Sequence, residues 1–161
     1  MNAVVNIISY LKTLIFGEER REEIVMKNEG SSIIVSSPGS SGIDLKPSDF
    51  TIIPPFESIK IGHKLYIEDM PLTYTGMIVG RSGINLEGKL IVRTGIIDSD
   101  YRGEISTVVS NETSEEIMLT SDMRISQLVF IKCFPAAMIS GDGIVVKQRY
   151  RGSDGFGSSG M

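Results

Sequence analysis

Residues 89–109 read KLIVRTGIIDSDYRGEISTVV, and this stretch decides the fold. Two β-rich runs, Lys89–Val92 and Ile105–Val109, lie on either side of a centre that contains Gly95, Asp98 and Gly103. Aliphatic and β-branched residues favour strands, whereas Gly and Asp favour tight turns. The stretch therefore predicts short strands joined by a polar hairpin.

The same alternation of short β-rich runs and turn residues continues in both directions from this hairpin. Gly, Pro or Asn separates most of the β-rich runs from their neighbours. Many short strands, with no long amphipathic helix between them, predict an all-β sandwich, jelly roll or barrel and disfavour a parallel βαβ fold. The predicted strands are Ser32–Ser36, Thr51–Ile53, Lys64–Ile67, Met77–Val79, Lys89–Val92, Ile105–Val109, Glu116–Leu119, Arg124–Phe134 and Ile144–Gln148.

Composition narrows the classes of function. The length of 161 residues suits one domain. The net charge of −4 disfavours binding to long nucleic acid, although local arginines can still hold a free nucleotide. Cys133 is the only cysteine, which excludes an intrachain disulfide and favours a reducing, intracellular location in cytoplasm or nucleus. No run approaches the roughly 20 apolar residues that span a bilayer.

The two ends of the chain differ from its centre. Apolar residues recur at roughly helical spacing over residues 3–16, and a charged run follows at residues 18–23. We interpret residues 1–23 as an N-terminal extension, a docking helix with a solvated link, and as a candidate protein-binding segment. Its polar face has few basic residues, so no stable membrane association is expected. Residues 151–161 are rich in Gly and Ser and cannot fold alone.

Five polar segments are the candidates for chemistry. Guanidinium groups, hydroxyls and backbone N–H groups freed by glycine all suit phosphate oxygens. Each segment alone is equally well explained as a turn, a hairpin or a flexible tail. The segments are Ser41–Leu45, Arg81–Gly83, Gly95–Glu104, Arg124–Leu128 and Arg151–Gly160.

Four side chains within or near these segments have two interpretations each. Asp98 could accept a proton from water or support a metal ion, or could simply form a turn. Tyr101 could press against a sugar or pack at a strand end. Gln127 could bind a water or ligand, or face solvent on an alternating strand. His63 is the only histidine and has no Cys or His companions; we predict a loop or surface position and no histidine-based zinc site.

Taken in order, the five segments resemble the five motifs of the trimeric dUTPases. The most specific are GIIDSDYRGEI at residues 95–105 and RGSDGFGSSG at residues 151–160. The resemblance implies a distorted jelly roll, or β-clip-like barrel, over residues 24–150. It also implies a homotrimer with swapped C-terminal arms, residues 151–161, that close over the active site. The implied reaction is Mg²⁺-dependent hydrolysis of dUTP to dUMP and pyrophosphate, which limits uracil in DNA and supplies dUMP for dTTP synthesis.

The resemblance also implies roles around the nucleoside. Asp98 resembles the general base that activates water for attack on the α-phosphorus. Tyr101 resembles the residue that packs on deoxyribose and leaves no room for a 2′-hydroxyl. The hairpin backbone near Gly95 and Ile97 would read the uracil edge. This hairpin would belong to a second subunit, and the arm to a third.

The remaining implied roles concern the triphosphate. Asp44 would lie in the outer shell of Mg²⁺, joined to it through water, and Arg81 would pair with Asp98. Ser82, Gly83 and Gln127 would hold the α- and β-phosphates, and Gln127 would also lie near the attacking water. The further residues that would bind substrate are Arg124, Arg151, Phe156, Gly157, Ser158 and Ser159, with Phe156 stacked on uracil and the arm's arginine and serines at the γ end.

The chain departs from the family pattern at Ile43, Gly80, Ser159 and Val92, where an aromatic, a proline, a threonine and, in many bacterial members, a uracil-reading asparagine are common. None of these removes a reacting group. Two alternatives remain: a dCTP deaminase relative, disfavoured because Ile105–Val109 has no carboxylate, and a catalytically weak dUTP-binding or partner-binding homologue. The sequence leaves open whether the gene is cellular or viral.

Overall fold

The strands of the protein are short and numerous. The computed structural model describes residues 23–30, 33–83, 88–139, 141–143 and 153. A 3₁₀ turn at Ala136–Met138 follows the last strand in this part of the chain. The strands in the described ranges are β1 (Val25–Asn28), β2 (Gly42–Leu45), β3 (Thr51–Ile53), β4 (Ser58–Gly62), β5 (Leu65–Asp69), β6 (Tyr74–Gly80), β7 (Leu90–Arg93), β8 (Gly95–Ile97), β9 (Ser106–Asn111), β10 (Ile117–Leu119) and β11 (Ser126–Lys132).

The strands pair into small antiparallel sheets. The largest has the order β2-β11-β6-β8, and a second has the order β4-β9-β7. Two further pairs, β1-β5 and β3-β10, complete the layers. Neighbours in the sheets are mostly distant in sequence, which is the crossover pattern of a jelly roll. The all-β prediction is therefore confirmed.

Alternating side chains of these sheets form the core. In β5, Leu65 and Ile67 are buried while Tyr66 between them is half-buried, as the period of two in a strand requires. Each fully buried aliphatic side chain contributes about 1.5–3 kcal/mol to stability. The completely buried aliphatic residues, at most 1% exposed, are Ile53, Leu65, Ile67, Ile78, Ile105, Val109, Ile125 and Leu128.

Strand β8 is held close to β6 through a glycine. Gly76 lies opposite Ile97 in the register of the two strands. A Cβ atom at residue 76 would lie only 3.1 Å from the Ile97 Cβ and 3.1 Å from the Leu128 Cδ1. Glycine therefore permits the close packing that fixes the start of the hairpin.

Most strand predictions over the described residues are confirmed within a few residues, and some are wrong. Ser32–Ser36 forms no strand from residue 33 onward; only Ile34 makes an isolated bridge, to Asp44. Strands β1, β2, β4 and β8 were not predicted from the sequence. The run predicted as Arg124–Phe134 begins at Ser126 and ends at Lys132. The predicted strand Ile144–Gln148 and the helix over residues 3–16 lie outside the described residues, so both stay predictions.

Within the described ranges, no helix is long and apolar enough to cross a membrane.

Candidate active site

The hairpin after β8 borders a cavity. The cavity has a volume of about 350 Å³ and is open on one side. Asp98 is half-buried at its wall, directly after the last residue of β8. The Ile97 carbonyl accepts a hydrogen bond from Thr75 Oγ1 at 3.0 Å, which ties the hairpin to β6. Its lining includes Gly95, Ile97, Asp98, Tyr101, Glu104 and Ser106.

The ring of Tyr101 forms one wall of this hairpin cavity. The residue is 8% exposed, and its hydroxyl donates to the Glu104 carbonyl at 3.1 Å. A Cβ atom at residue 103 would overlap the Tyr101 hydroxyl and ring, so Gly103 leaves the space that the ring occupies. The turn is closed by a hydrogen bond from the Tyr101 N–H to the Asp98 carbonyl, 3.1 Å long. The carboxylate and the ring are thereby held on one rigid hairpin.

The base of the hairpin is anchored by Glu104. Its Oε1 accepts a hydrogen bond from the backbone N–H of Lys64 at 2.7 Å. Lys64 has φ +49°, a left-handed conformation that is uncommon for a residue with a side chain. A Cβ atom at residue 62 would overlap the Glu104 carboxylate, so Gly62 is needed for this contact. The contact joins the hairpin to the β4-β5 turn.

A second group of polar side chains surrounds Asp44. Its Oδ1 lies 2.9 Å from the Arg81 Nε, and its Oδ2 lies 3.0 Å from the Arg124 Nη1. Ser36 Oγ also donates to Oδ2 at 3.1 Å. Only 8% of the Asp44 side chain is exposed, whereas those of Arg81 and Arg124 are 30% and 40% exposed. The carboxylate is buried behind two arginines that can still meet an anion; we call Asp44, Arg81 and Arg124 the arginine cluster.

Strand pairing explains why these distant residues meet. Strand β11 lies between β2 and β6, and its Gln127 is opposite both Asp44 and Val79. Arg81 comes directly after β6, and its Nη1 donates to the Arg124 carbonyl at 3.3 Å. Gln127 is half-buried, so its environment lies between the two predicted ones, a position that binds water or ligand and a solvent-facing position.

Ser82 and Gly83 follow β6 next to the arginine cluster. Both are exposed, and no atom lies within 4 Å of a Cβ built at residue 83. Their hydroxyl and backbone N–H groups are thus accessible to a ligand. The arm residues Arg151, Phe156, Gly157, Ser158 and Ser159 lie outside the described residues.

The hairpin and the arginine cluster border different cavities. Arg81, Gly83 and Arg124 line a second, more open cavity of about 780 Å³. No described residue lines both cavities. Within one chain, Asp44, Arg81 and Arg124 contact one another. Asp98 and Tyr101 lie together at a separate place, the hairpin cavity. Within the chain Arg81 pairs with Asp44; its pairing with Asp98 stays a prediction about neighbouring subunits.

His63 lies in a loop, as predicted, but the alternative of a surface position is wrong because the side chain is buried. The residue is 5% exposed and lies between β4 and β5. Its Nδ1 is 2.6 Å from the Lys46 carbonyl oxygen, and its Nε2 is 2.7 Å from the Thr107 Oγ1. Burial lowers the pKa of the imidazole below its usual value, against the opposing effects of the Lys46 hydrogen bond and the Glu104 charge. The alternation of Ile61, His63 and Leu65 was the available signal, since all three face the core.

The antiparallel jelly roll, with an acidic hairpin beside a cavity and arginines on a second face, defines an all-β protein suited to a phosphorylated nucleoside. The family model for dUTPase matches residues 28–160, and the chain belongs to this family.

Relatives of known name support the assignment. The chain is 32% identical over 139 residues to deoxyuridine 5′-triphosphate nucleotidohydrolase of Hydrogenobaculum sp., covering 84% of this chain and 94% of the relative. It is 37% identical over 131 residues to the protein of the same name from Desulfitobacterium hafniense, covering 78% and 85%. The viral homologue of Paramecium bursaria Chlorella virus 1 is 31% identical over 128 residues, covering 78% and 86%.

Solved structures share the fold. A point mutant of the Staphylococcus bacteriophage 80alpha dUTPase, solved with dUpNHpp, has a TM-score of 0.67 at 16% identity, over 76% of this chain and 97% of the other. A point mutant of the dUTPase from Staphylococcus aureus phage phi11, described with a coordinated structural Mg(II) ion, has a TM-score of 0.66 at 15% identity, over 76% and 98%.

Proposed function

We propose that the protein hydrolyses dUTP to dUMP and pyrophosphate by attack of water on the α-phosphorus. The observation that carries the proposal is the rigid hairpin, on which Asp98 and Tyr101 line one cavity beside Gly95 and Ile97. Its volume of about 350 Å³ is at the lower end of small-molecule sites. Family membership over residues 28–160 and the names of the relatives support the same substrate.

Asp98 acts as the general base. Its carboxylate accepts a proton from the water while the water oxygen bonds to the α-phosphorus. The bond between the α-phosphorus and the bridging oxygen breaks, and pyrophosphate leaves with the electron pair. The carboxylate gains from its fixed position on the hairpin, because positioning of reacting groups supplies much of the rate enhancement in such reactions.

The nucleoside is held by the hairpin. The Tyr101 ring is fixed by its hydroxyl bond to the Glu104 carbonyl, so it presents a rigid face to deoxyribose and excludes a 2′-hydroxyl. The backbone near Gly95 and Ile97 recognises the uracil edge. The Ile97 carbonyl already accepts a bond from Thr75, which holds the backbone in place before the base enters.

The arginine cluster receives the phosphates. Arg81 and Arg124 carry two positive charges against the single negative charge of Asp44, which leaves a net positive site. Ser82 and Gly83 add exposed donors, and Gln127 orients the α-phosphate and the water. Donors arranged in advance stabilise the developing negative charge without reorganisation during the reaction.

The residues fit a magnesium ion held mainly by substrate. Among the described residues, no three or more carboxylates, histidines or cysteines lie close enough to form a cage for a metal ion. Both oxygens of Asp44 already accept hydrogen bonds, so the carboxylate suits an outer-shell contact through water. Mg²⁺ keeps several waters and is commonly bound by substrate phosphates, where it neutralises charge.

The complete site is assembled from several subunits of a homotrimer. The two cavities of one chain share no described residue, which supports pairing the hairpin of one subunit with the arginine cluster of another. The arm at residues 151–161 closes the site from a third subunit: Arg151, Ser158 and Ser159 bind the γ end, and Phe156 with Gly157 covers uracil.

Neither alternative is favoured. Strand β9 contains no carboxylate, which a deaminase of related fold would place in the strand after the hairpin. A binding protein without activity would have no need for the reacting set of Asp98, Ser82 and Gln127. An added partner role for residues 1–23 stays a prediction.

The site of water attack can be tested by isotope labelling. The purified protein is incubated with dUTP and Mg²⁺ in water enriched in ¹⁸O, and the products are analysed by mass spectrometry. Attack on the α-phosphorus places the label in dUMP. Label found only in pyrophosphate, or release of orthophosphate instead of pyrophosphate, would show a different reaction.

A further inference from the structure

A chain of buried hydrogen bonds lies in the core near the two parts of the site, the hairpin and the arginine cluster. It begins at the Lys46 carbonyl, which is 2.6 Å from the His63 Nδ1, and continues from Nε2 to the Thr107 Oγ1 at 2.7 Å. Thr107 Oγ1 is in turn 2.7 Å from the Ser126 Oγ. His63, Thr107 and Ser126 are 5%, 0% and 0% exposed. We call these three side chains the histidine chain.

For a neutral imidazole, the direction of every hydrogen bond in the histidine chain is determined. A carbonyl oxygen can only accept, so the proton of neutral His63 lies on Nδ1 and is donated to Lys46. Nε2 is then an acceptor and receives the hydroxyl proton of Thr107. Because Thr107 has donated its only proton, Ser126 must donate to Thr107. This order of donors belongs to the neutral imidazole, and a charged imidazole would reverse it from Nε2 onward.

The histidine chain connects the segments that carry both halves of the site. Lys46 follows β2, which carries Asp44. Thr107 lies in β9, next to the cavity-lining Ser106. Ser126 begins β11, directly before Gln127. One imidazole thus links the segment after β2 to β9 and, through Thr107, to the start of β11.

Among the residues that the structure describes, few charged groups act on His63. Glu104 acts on the imidazole and favours its protonation. Two lysines are also close along the backbone: the Lys46 carbonyl contacts Nδ1, and Lys64 is the next residue in the chain. Asp44 lines, together with His63, a small cavity of about 10 Å³. Desolvation is the largest effect on the pKa and opposes Glu104, which keeps the ring neutral.

We propose that His63 is a positioning residue for the hydrolysis, and that its Nδ1-protonated neutral form sets the placement of Gln127 against the arginine cluster and the hairpin. The role in hydrolysis rests on the proposed function. Protonation adds a proton at Nε2, which must then donate to Thr107. Thr107 must in turn donate to Ser126, whose own proton loses its acceptor. The start of β11, and Gln127 with it, therefore shifts when the imidazole is charged.

The first test needs no substrate. Because His63 is the only histidine, labelling the full chain with ¹⁵N-histidine gives a single imidazole spectrum. We expect the Nδ1–H tautomer at neutral pH, with titration at a lower pH than free histidine. In a uniformly ¹⁵N-labelled sample, the Gln127 side-chain amide signals should follow that titration in the wild type but not in Thr107→Val. An Nε2–H tautomer, or a Gln127 signal that ignores the His63 titration, would overturn the proposal even if the protein had no activity on dUTP.

The second test separates positioning from stability. Thr107→Val keeps the shape of the side chain and removes the central link; Thr120→Val, at an exposed position, is the matched control. We expect kcat for dUTP to fall about tenfold at pH 7.5 in Thr107→Val, because misplacement of a catalytic group costs turnover, with KM within about twofold. A lower melting temperature with unchanged kcat would assign the chain a purely structural role and overturn the proposal.

The pH profile gives the third readout. The acid limb of kcat in the wild type should contain a component at the titration midpoint of His63. His63→Gln can offer an amide donor to Lys46 and an acceptor to Thr107 without titrating, so this component should be lost while most of kcat at pH 7.5 is kept. An unchanged profile in His63→Gln would contradict the proposal. If this variant fails to fold, Ser126→Ala takes its place: the imidazole still titrates but its link to β11 is cut, so the component should again be lost from kcat, and an unchanged profile would contradict the proposal.

Discussion

Asp44 is a buried carboxylate, and its burial is tolerated because two arginines and a serine satisfy both oxygens. The sequence predicted Asp44, Arg81 and Arg124 as site residues, each from its own motif. It did not predict that they contact one another within the chain. That contact depends on the register of β2, β11 and β6, which local sequence patterns do not encode.

The sequence correctly predicted a loop at His63 but missed its burial, for a related reason. Its ring is satisfied by Lys46 and Thr107, residues 17 and 44 positions away. A lone histidine without visible partners suggests a surface position, and only the folded pairing of distant strands supplies the partners. Glu104 was missed as an anchor in the same way, since its acceptor role depends on the backbone of Lys64, 40 positions away.

Asp98→Asn should bind the non-hydrolysable analogue dUpNHpp with Mg²⁺ but lose most turnover. Removal of a general base costs about 10²–10⁴-fold in rate, and the substitution preserves shape and hydrogen-bonding capacity in part. Steady-state kinetics and calorimetric binding measure the two effects. Asp100→Asn, in the same turn, is the control and should keep near-normal turnover. Near-normal turnover in Asp98→Asn would exclude Asp98 as the base.

Gly103→Ala should weaken dUTP binding and lower the free energy of unfolding. The new methyl group would overlap the Tyr101 hydroxyl and ring, and overpacking of this kind costs about 1–3 kcal/mol. The displaced ring would enter the cavity that we propose as the nucleoside site. Gly39→Ala is the matched control, because no atom lies within 4 Å of a Cβ at that position. Equal KM values for dUTP in the two variants would remove Tyr101 from the nucleoside wall.

At the level of elements, strands with a clear alternating or aliphatic pattern were predictable. Strands β3, β7 and β9 match their predicted runs closely. Strand β1, with the sequence VMKN, is mostly exposed and has no alternation to reveal it. Strand β4 does alternate, at Ile59 and Ile61, but its lysine, serine and glycine obscured the pattern. The two glycine-led strands β2 and β8 were interpreted only as site motifs.

The arm is the element whose function can be tested separately. Deleting residues 151–161 should leave the jelly roll folded, because the segment has little to add to the core: Phe156 is its only large apolar residue before Met161. Turnover should collapse, since the deletion removes the Arg151 charge and the Phe156 ring and admits water to the phosphates, where electrostatic stabilisation is weaker. Circular dichroism and kinetics check the two halves of this prediction. A truncated enzyme with normal turnover would show that the arm has no part in catalysis.

For the whole molecule, assembly decides whether one chain holds a complete site. We expect a trimer by light scattering, with sites formed between subunits. Asp98→Asn damages the hairpin half, and Arg81→Gln damages the cluster half. Mixed trimers refolded from equal amounts of the two inactive variants should recover about a quarter of wild-type activity, since one site in four combines two intact halves. No recovery, or full activity in a monomer, would place the site within one chain.

The most direct measurement of the central claim compares nucleotides. Pyrophosphate release is followed with dUTP, UTP, dCTP and dTTP at equal concentrations, with Mg²⁺ present. The proposed function predicts rapid release from dUTP alone: the Tyr101 ring would exclude the 2′-hydroxyl of UTP, the hairpin backbone would reject the amino group of dCTP, and the hairpin would exclude the 5-methyl group of dTTP. Equal release from UTP and dUTP, or no release from dUTP, would contradict the account.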